Sequence, residues 1–155
     1  MSATHLHGPI VVIGTGLLGT SIGLGLEHRG VPVFLEDTSP TNQAVAVDIG
    51  AGRPIAEFEA DRGAQPELVV VATPPDVAVG VAARALERWP HAVVVDIASV
   101  KGAIVQGLRE RGADLARYVW THPMAGREKS GPVAARGELF TSMPWVVCAA
   151  PESDP

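Results

Sequence analysis

His122 stands where an apolar run ends, in the stretch YVWTHPMAGREKSG of residues 118–131. A histidine side chain titrates at about pH 6.5 in water, so it can accept a proton from a hydroxyl group under neutral conditions. The proline that follows it holds the histidine in an extended conformation. Position alone leaves two interpretations open: a catalytic base at the end of a strand, or an ordinary polar residue where a strand meets a loop.

Ser99 and Lys101 lie in a second polar stretch, DIASVKG, at residues 96–102. This stretch also follows an apolar run, and ligands of parallel sheets bind beyond the carboxyl ends of strands. Ser99 either caps a helix that begins near Lys101 or hydrogen-bonds a substrate. Lys101 either attracts an anion or is simply solvated.

Three glycines follow the first apolar run, in the sequence GTGLLG at residues 14–19. In such a loop the first glycine permits a tight turn, the second lets the backbone approach a pyrophosphate, and the third lets helix and strand pack closely. The free N–H groups at the start of the following helix bind phosphate oxygens. The pattern predicts a dinucleotide-binding loop made by Gly14, Gly16, Leu17, Leu18 and Gly19.

An acidic pair, Glu36 and Asp37, closes the second apolar run, roughly 20 residues after the loop, as a dinucleotide fingerprint requires. A carboxylate there accepts hydrogen bonds from the ribose hydroxyls and repels a 2′-phosphate, which selects NAD over NADP. Asp37 is predicted to be this acid. Glu36 points to the other face of the strand and is interpreted as a solvated carboxylate.

The stretch VVVATPPD at residues 69–76 ends another apolar run. The carboxyl-end rule places Thr73, Pro74 and Pro75 beside the cofactor. The alternative is a rigid turn without ligand contact, since two prolines exclude helix before Asp76.

Short apolar runs that alternate with segments of helical period must position these groups. The runs predict strands at residues 9–14, 31–36, 68–73, 92–97, 117–122 and 144–150. Most are apolar throughout, as strands buried on both faces are. The pattern therefore predicts an α/β fold of the Rossmann type: a single domain with a doubly wound, mainly parallel sheet.

Helical spacing predicts four helices, at about residues 18–29, 40–49, 76–89 and 101–111. Ser39 is predicted to cap the second helix and Asp76 the third. The buried face of the third helix is predicted at Val77, Val81, Ala85 and Trp89. Residues 51–67 are predicted to be irregular, with one short strand around residues 54–58.

The composition excludes several classes of partner. The 155 residues have a formal net charge of -5 without a basic block, which argues against nucleic acid and anionic membranes. The chain has no signal peptide pattern at its start and no apolar window of about 18 residues that could cross a membrane. The single cysteine, Cys148, fits a reducing compartment, so a cytoplasmic location is expected.

Four motifs in order, GTGLLGTSIGLGL, VVATPP, DIASVKG and HPMAGREKSG, resemble the nucleotide-binding domain of prephenate dehydrogenases. This family of tyrosine biosynthesis also includes arogenate and cyclohexadienyl dehydrogenases. The resemblance covers roughly residues 8–150. It implies oxidation of the ring hydroxyl of prephenate with NAD and loss of carbon dioxide, giving 4-hydroxyphenylpyruvate.

The same resemblance implies roles for two residues. His122 matches the histidine that hydrogen-bonds the ring hydroxyl of the substrate and takes its proton. Ser99 matches the serine that contacts the same hydroxyl and orients it near the nicotinamide. The protein's task is then orientation and proton handling, with the hydride chemistry left to the cofactor.

Family members carry a second, all-helical domain that forms a homodimer and binds the substrate carboxylates. The resemblance divides this chain into a tail (1–7), an NAD-binding domain (8–150) and the start of a linker to an absent domain (151–155). On this expectation the chain binds NAD but is largely inactive alone. Arg127 and Lys129 either bind a carboxylate or are solvated loop charges.

Three other functions remain open on the sequence. The first is arogenate dehydrogenase, because the two substrates differ only in a side-chain keto or amino group. The second is a related oxidoreductase of another small acid or imine. The third is a regulatory domain that senses NAD without chemistry, which would not need His122 and Ser99 near the nicotinamide.

Overall fold

The computed structural model describes residues 6–100, 102–125 and 130–149. Lys101, Arg127, Lys129 and the predicted linker at 151–155 lie outside these ranges, as do the first five residues of the predicted tail.

Seven strands form one sheet in the described part of the chain. They are β1 (Ile10–Ile13), β2 (Val33–Glu36), β3 (Arg53–Pro54), β4 (Leu68–Val71), β5 (Val93–Asp96), β6 (Tyr118–Pro123) and β7 (Trp145–Ala149). Their order across the sheet is β3-β2-β1-β4-β5-β6-β7. All neighbouring strands are parallel except β6 and β7. The predicted mainly parallel sheet is confirmed.

Helices cover both faces of this sheet. They are α1 (Leu17–Glu27), α2 (Pro40–Asp48), α3 (Ile55–Glu59), α4 (Pro75–Arg88) and α5 (Gly102–Glu110), with 3₁₀ turns at Leu115–Arg117 and Pro132–Ala134. One apolar core packs α1 and α2 against the sheet, and the other packs α3, α4 and α5 against the opposite face. Successive residues of β1, such as Val11 and Val12, belong to different cores. The Rossmann-type, doubly wound α/β fold is thereby confirmed.

The strand order places a crevice at one edge of the sheet. From β1 the chain winds outward through β2 and β3, then returns to β4 on the other side of β1. Ligands of such sheets bind at this reversal, beyond the carboxyl ends of the strands. The polar stretches that follow β1, β4, β5 and β6 therefore meet at one edge.

The region after β3 differs from the sequence prediction. A strand was expected around residues 54–58, but only Arg53–Pro54 pairs with β2, and Ile55–Glu59 forms α3. Pro54 occupies the N-cap position of α3, and the ring of Phe58 packs on Phe34 with centroids 5.0 Å apart. Phe58 is the buried residue of this short helix, and its ring contact holds the helix against β2.

The start and the buried face of α4 also differ from the prediction. The helix begins at Pro75, because proline at the first helical position lacks only an N–H that would be unpaired anyway. Asp76 therefore lies in the first turn and is not the cap. Ala85 and Trp89 are buried as predicted, whereas Val77 is 47% exposed and its neighbour Ala78 is buried.

Ser39 caps α2 as predicted, since its side chain accepts a hydrogen bond from the N–H of Asn42 at 3.2 Å.

None of the helices in the part of the chain that the structure describes combines the length and apolarity needed to cross a bilayer.

Candidate active site

A cavity of about 880 Å³ opens at the carboxyl ends of β1, β4, β5 and β6. It brings together nearly all of the residues that were predicted to form a site. These are Gly14, Gly16, Leu17, Leu18, Asp37, Thr73, Pro74, Pro75, Ser99 and His122. Gly19 is the predicted site residue that does not line this cavity.

The three loop glycines meet different surroundings. Gly14 has a φ of +102°, and a Cβ there would overlap the carbonyl of Ala72. A Cβ at Gly19 would overlap the carbonyl oxygen of Gly14, so this glycine serves the packing of α1 on β1. A Cβ at Gly16 would have no atom within 4 Å. The open side of the loop is therefore at Gly16, on the cavity.

The amino terminus of α1 also faces this cavity. Gly16 is its N-cap residue, and no side chain of the described residues caps the helix. The first N–H groups of a helix lack intrahelical partners and carry partial positive charge. With Leu17 and Leu18 lining the cavity, this end of α1 can bind an anionic group such as a phosphate.

The Asp37 carboxylate accepts three hydrogen bonds from the protein itself. Its Oδ2 atom accepts from the N–H of Thr15 at 2.6 Å and from the Thr15 hydroxyl at 2.7 Å. Its Oδ1 atom accepts from the N–H of Ser39 at 2.7 Å. A carboxylate offers about four acceptor positions, so one remains for a ligand. Sequence reasoning missed the bond to Thr15, because the variable position of the glycine motif gives no sign of it.

Glu36 is ion-paired and lines the same cavity as Asp37, contrary to the prediction of a solvated carboxylate on the other face of the strand. Its carboxylate accepts hydrogen bonds from Arg88 at 3.0 and 3.3 Å, and its side chain is 33% exposed. Arg88 also pairs with Glu59 and lies over the Trp89 ring, 4.3 Å from its centroid. This cluster borders the end of the cavity between β2 and α4, where Val77 and Val81 supply an apolar wall.

Thr73 and Ser99 present hydroxyl groups that make no hydrogen bond within the described part of the chain. The Thr73 Oγ1 atom is buried and has no hydrogen bond to any residue in the described ranges. Ser99 is exposed, and within the same ranges its hydroxyl makes no hydrogen bond, including none to α5. No hydrogen bond in the described part of the chain therefore supports the interpretation of Ser99 as the cap of α5.

His122 is half-buried near the end of β6, where it pairs across the sheet with Val146 of β7. Its Nδ1 atom is buried and has no hydrogen-bond partner among the residues that the structure describes. Its side chain lines the same cavity as Ser99 and the glycine loop. The arrangement can present an imidazole to a ligand that also contacts the loop.

A buried polar pair, Asp96 and Tyr118, joins β5 and β6 beside this edge. The Tyr118 hydroxyl donates to Asp96 Oδ2, and both residues are fully buried. Burial chiefly raises the pKa of the Tyr118 hydroxyl, and the charge of Asp96 and the hydrogen bond to it raise this pKa further. Sequence reasoning missed the pair, although an aspartate that closes the apolar run AVVVD is a visible signal.

Among the described residues, no group of three or more histidine, cysteine, aspartate or glutamate side chains is placed to hold a metal ion.

Comparison with known proteins is consistent with this geometry. The family model described as prephenate dehydrogenase, nucleotide-binding domain, matches residues 22–155. A probable prephenate dehydrogenase, NovF of Streptomyces niveus, is 43% identical over 144 residues, which cover 93% of this chain and 38% of the relative. The family match begins after the glycine loop, so the loop adds independent support for nucleotide binding.

Two solved structures resemble the fold closely. Prephenate dehydrogenase from A. aeolicus, in complex with hydroxyphenyl propionate and NAD+, has a TM-score of 0.80 and 25% identity. Arogenate dehydrogenase from Synechocystis has the same TM-score and identity. Each match covers 94% of this chain and 51% of the other. The chain thus spans about half the length, or less, of these relatives, and it belongs to the prephenate dehydrogenase family, whose nucleotide-binding domain it represents.

Proposed function

We propose that this chain binds NAD and supplies the proton-handling groups of a dehydrogenase that converts prephenate to 4-hydroxyphenylpyruvate with loss of carbon dioxide. One observation carries the proposal: the glycine loop, Ser99 and His122 line a single cavity in a member of this family. A domain that only senses NAD would not need these two side chains beside the loop.

Several features of the cavity fit a dinucleotide. Its volume lies within the usual range for ligand sites, about 300–1,000 Å³. The open side of Gly16 and the uncapped end of α1 suit a pyrophosphate. The Thr73 hydroxyl, which has no partner among the described residues, offers a further hydrogen bond. NAD, when bound, accepts the hydride that the substrate loses.

Asp37 favours NAD over NADP in this proposal. Its remaining acceptor position suits a ribose hydroxyl, and its charge repels a 2′-phosphate. The wall formed by Val77 and Val81 suits the flat, apolar faces of the adenine ring.

His122 and Ser99 act on the substrate hydroxyl in this proposal. The imidazole accepts the hydroxyl proton while the ring carbon loses its hydrogen, so that a carbonyl forms at this carbon. The Ser99 hydroxyl, which makes no hydrogen bond within the described ranges, donates to or accepts from the same oxygen and orients it. Loss of carbon dioxide then leaves its bonding electron pair in the ring, which becomes aromatic, and the former carbonyl oxygen takes up a proton to give the phenol hydroxyl.

We infer that groups outside this chain complete the substrate pocket, as an all-helical domain of a homodimer would. The relatives are about twice as long as the matched part. Among the residues that the structure describes, the arginines that line the cavity are Arg84 and Arg88 in the later turns of α4, and Arg88 already pairs with Glu36 and Glu59. We therefore assign the carboxylates of prephenate to cationic groups other than Arg88.

Arogenate is the second candidate substrate. An arogenate dehydrogenase matches the fold with the same TM-score as a prephenate dehydrogenase. The two substrates differ in a keto or amino group that the proposed second domain would contact. Comparing kcat/KM for the two substrates with the complete gene product decides between them.

Three measurements test the proposal. Calorimetric titration of the chain with NAD should give a saturable signal, and its absence at millimolar NAD would contradict the cofactor assignment. The complete gene product should turn over prephenate with reduction of NAD, and NAD binding without any turnover would favour the sensing domain. Turnover by the 155-residue chain equal to that of the complete gene product would contradict the need for further groups.

A further inference from the structure

Asp96 is a fully buried carboxylate at the end of β5, and it connects two segments of the site. Its Oδ1 atom accepts a hydrogen bond from the N–H of Ala98 at 2.9 Å, which shapes the turn that leads to Ser99. Its Oδ2 atom accepts from the Tyr118 hydroxyl at the start of β6. One side chain therefore binds both the Ser99 turn and the strand of His122.

The main chain of Asp96 makes a second link to β6. The Thr121 hydroxyl donates to the carbonyl oxygen of Asp96 at 2.8 Å, and Thr121 directly precedes His122. Side chains alternate along a strand, so Thr121 and His122 lie on opposite faces of the sheet. Thr121 lines a smaller, apolar cavity of about 440 Å³ and not the cavity of His122. Any effect of its hydroxyl on His122 must pass through the backbone.

A carboxylate at this place has a physical cost that an apolar side chain would avoid. Burying a charge is unfavourable unless hydrogen bonds compensate for lost hydration. The remaining β5 residues, Val93, Val94 and Val95, are apolar. The hydrogen bonds of Asp96, and not the packing of the sheet, therefore account for an acid here.

We propose that Asp96 is a positioning residue, which fixes the Ser99 turn and the His122 strand relative to each other. The inference rests on the proposed function, because it concerns how Ser99 and His122 are placed relative to each other for that reaction. The effect is expected in kcat, since small displacements of reacting groups slow the chemical step while the cofactor still binds.

The main test compares Thr121→Val with Thr121→Ser in the complete gene product. Valine keeps the shape of threonine but removes the hydrogen bond to Asp96, whereas serine keeps the hydroxyl. We expect Thr121→Val to lower kcat roughly 10- to 100-fold, as misplacement of reacting groups does. The KM for NAD should change little, and Thr121→Ser should recover most of the lost kcat.

Thr20→Val is the matched control. Thr20 is also fully buried, it does not line the cavity of His122, and its hydroxyl has no hydrogen-bond partner in the described part of the chain. Loss of that hydroxyl should leave kcat unchanged. An equal loss of kcat in Thr20→Val and Thr121→Val would overturn the proposal.

Tyr118→Phe is the second variant, and it decides the matter if Thr121→Val does not fold. It removes the donor to Asp96 Oδ2 and keeps the buried ring, so kcat should fall while the dissociation constant of NAD is retained. Wild-type kcat in either folded variant would overturn the inference. Retained turnover in His122→Asn would instead contradict the proposed function, which keeps the two failures distinguishable.

Discussion

The carboxylate of Asp37 holds Thr15 by two hydrogen bonds, from its N–H at 2.6 Å and its hydroxyl at 2.7 Å. Thr15 lies between Gly14 and Gly16, so Asp37 ties the end of β2 to the glycine loop. The acid predicted to choose the cofactor therefore also shapes the loop that would bind the pyrophosphate. Measuring the affinity for NAD together with the preference for NAD over NADP separates the two roles.

Asp37→Ala should weaken NAD binding and reduce the preference for NAD over NADP. Lost hydrogen bonds to a charged group are worth about 1.5–3 kcal/mol each, so NAD affinity should fall roughly tenfold or more. NADP affinity should fall less, because the charge that repels its 2′-phosphate is gone. Calorimetric titration with both cofactors measures the change.

Glu36→Gln is the control for Asp37→Ala. Glu36 pairs with Arg88 and not with the glycine loop, so its variant should keep the preference of the wild type. If Asp37→Ala keeps this preference and Glu36→Gln loses it, the acid that selects NAD is Glu36.

Alanine at Gly16 and at Gly19 should separate binding from folding. Gly16 has a φ of -75°, which alanine adopts without strain, and the added methyl group meets open space. Gly16→Ala should therefore keep its thermal stability and bind NAD less tightly, because the methyl group occupies the approach of the pyrophosphate.

Gly19→Ala should instead destabilise the fold, because its methyl group meets the carbonyl oxygen of Gly14. Overpacking of this kind costs about 1–3 kcal/mol or more. Thermal unfolding and calorimetric titration of both variants check the pair. A stable Gly19→Ala protein, or a Gly16→Ala protein with wild-type NAD affinity, would contradict this account of the loop.

His122→Asn and Ser99→Ala should lower turnover of prephenate by the complete gene product without loss of NAD binding. Removal of a general base typically costs about 10²–10⁴-fold in rate. Ser99→Ala should cost less, and it should leave thermal stability unchanged, because its hydroxyl makes no hydrogen bond within the described ranges. Steady-state kinetics and thermal unfolding check both variants. Turnover retained by His122→Asn would show that His122 is not the general base.

Most of the cavity could be predicted from the sequence because its residues follow a local rule. Each of Gly14, Thr73, Ser99 and His122 lies at or just beyond the carboxyl end of an apolar strand, and parallel strands place those ends at one edge. The choice among the chemical roles of these residues still required the resemblance of the four ordered motifs to a family.

What could not be predicted depends on contacts between distant segments. The link from Asp96 to Tyr118 and Thr121 needs the register of β5 against β6, in which Asp96 stands opposite Trp120. No spacing within one strand encodes that register. The face of α4 was misassigned in part for a similar reason, since the exposed Val77 lines the cavity while Ala78 and Ala82 are buried in the core.

The buried hydroxyl of Tyr118 should make the folded chain less stable at high pH. It is the single tyrosine of the 155 residues, and burial and Asp96 raise the pKa of its hydroxyl above the ordinary value of 10.0. Below pH 10 the hydroxyl is protonated in both the folded and the unfolded chain, so it does not change the free energy of unfolding with pH. Above it only the unfolded chain ionises, and the free energy of unfolding should fall by up to about 1.4 kcal/mol per pH unit.

Urea unfolding of the wild type and of Tyr118→Phe, at several pH values on both sides of pH 10, measures this contribution. The phenylalanine variant should show a smaller fall, because the remaining groups titrate alike in both proteins. The ultraviolet absorbance of phenolate gives a direct check on the wild type, since Tyr118 is its only source. Phenolate absorbance that rises near pH 10 while circular dichroism still reports a folded chain would contradict the buried pair with Asp96, since the folded protein should keep this hydroxyl protonated.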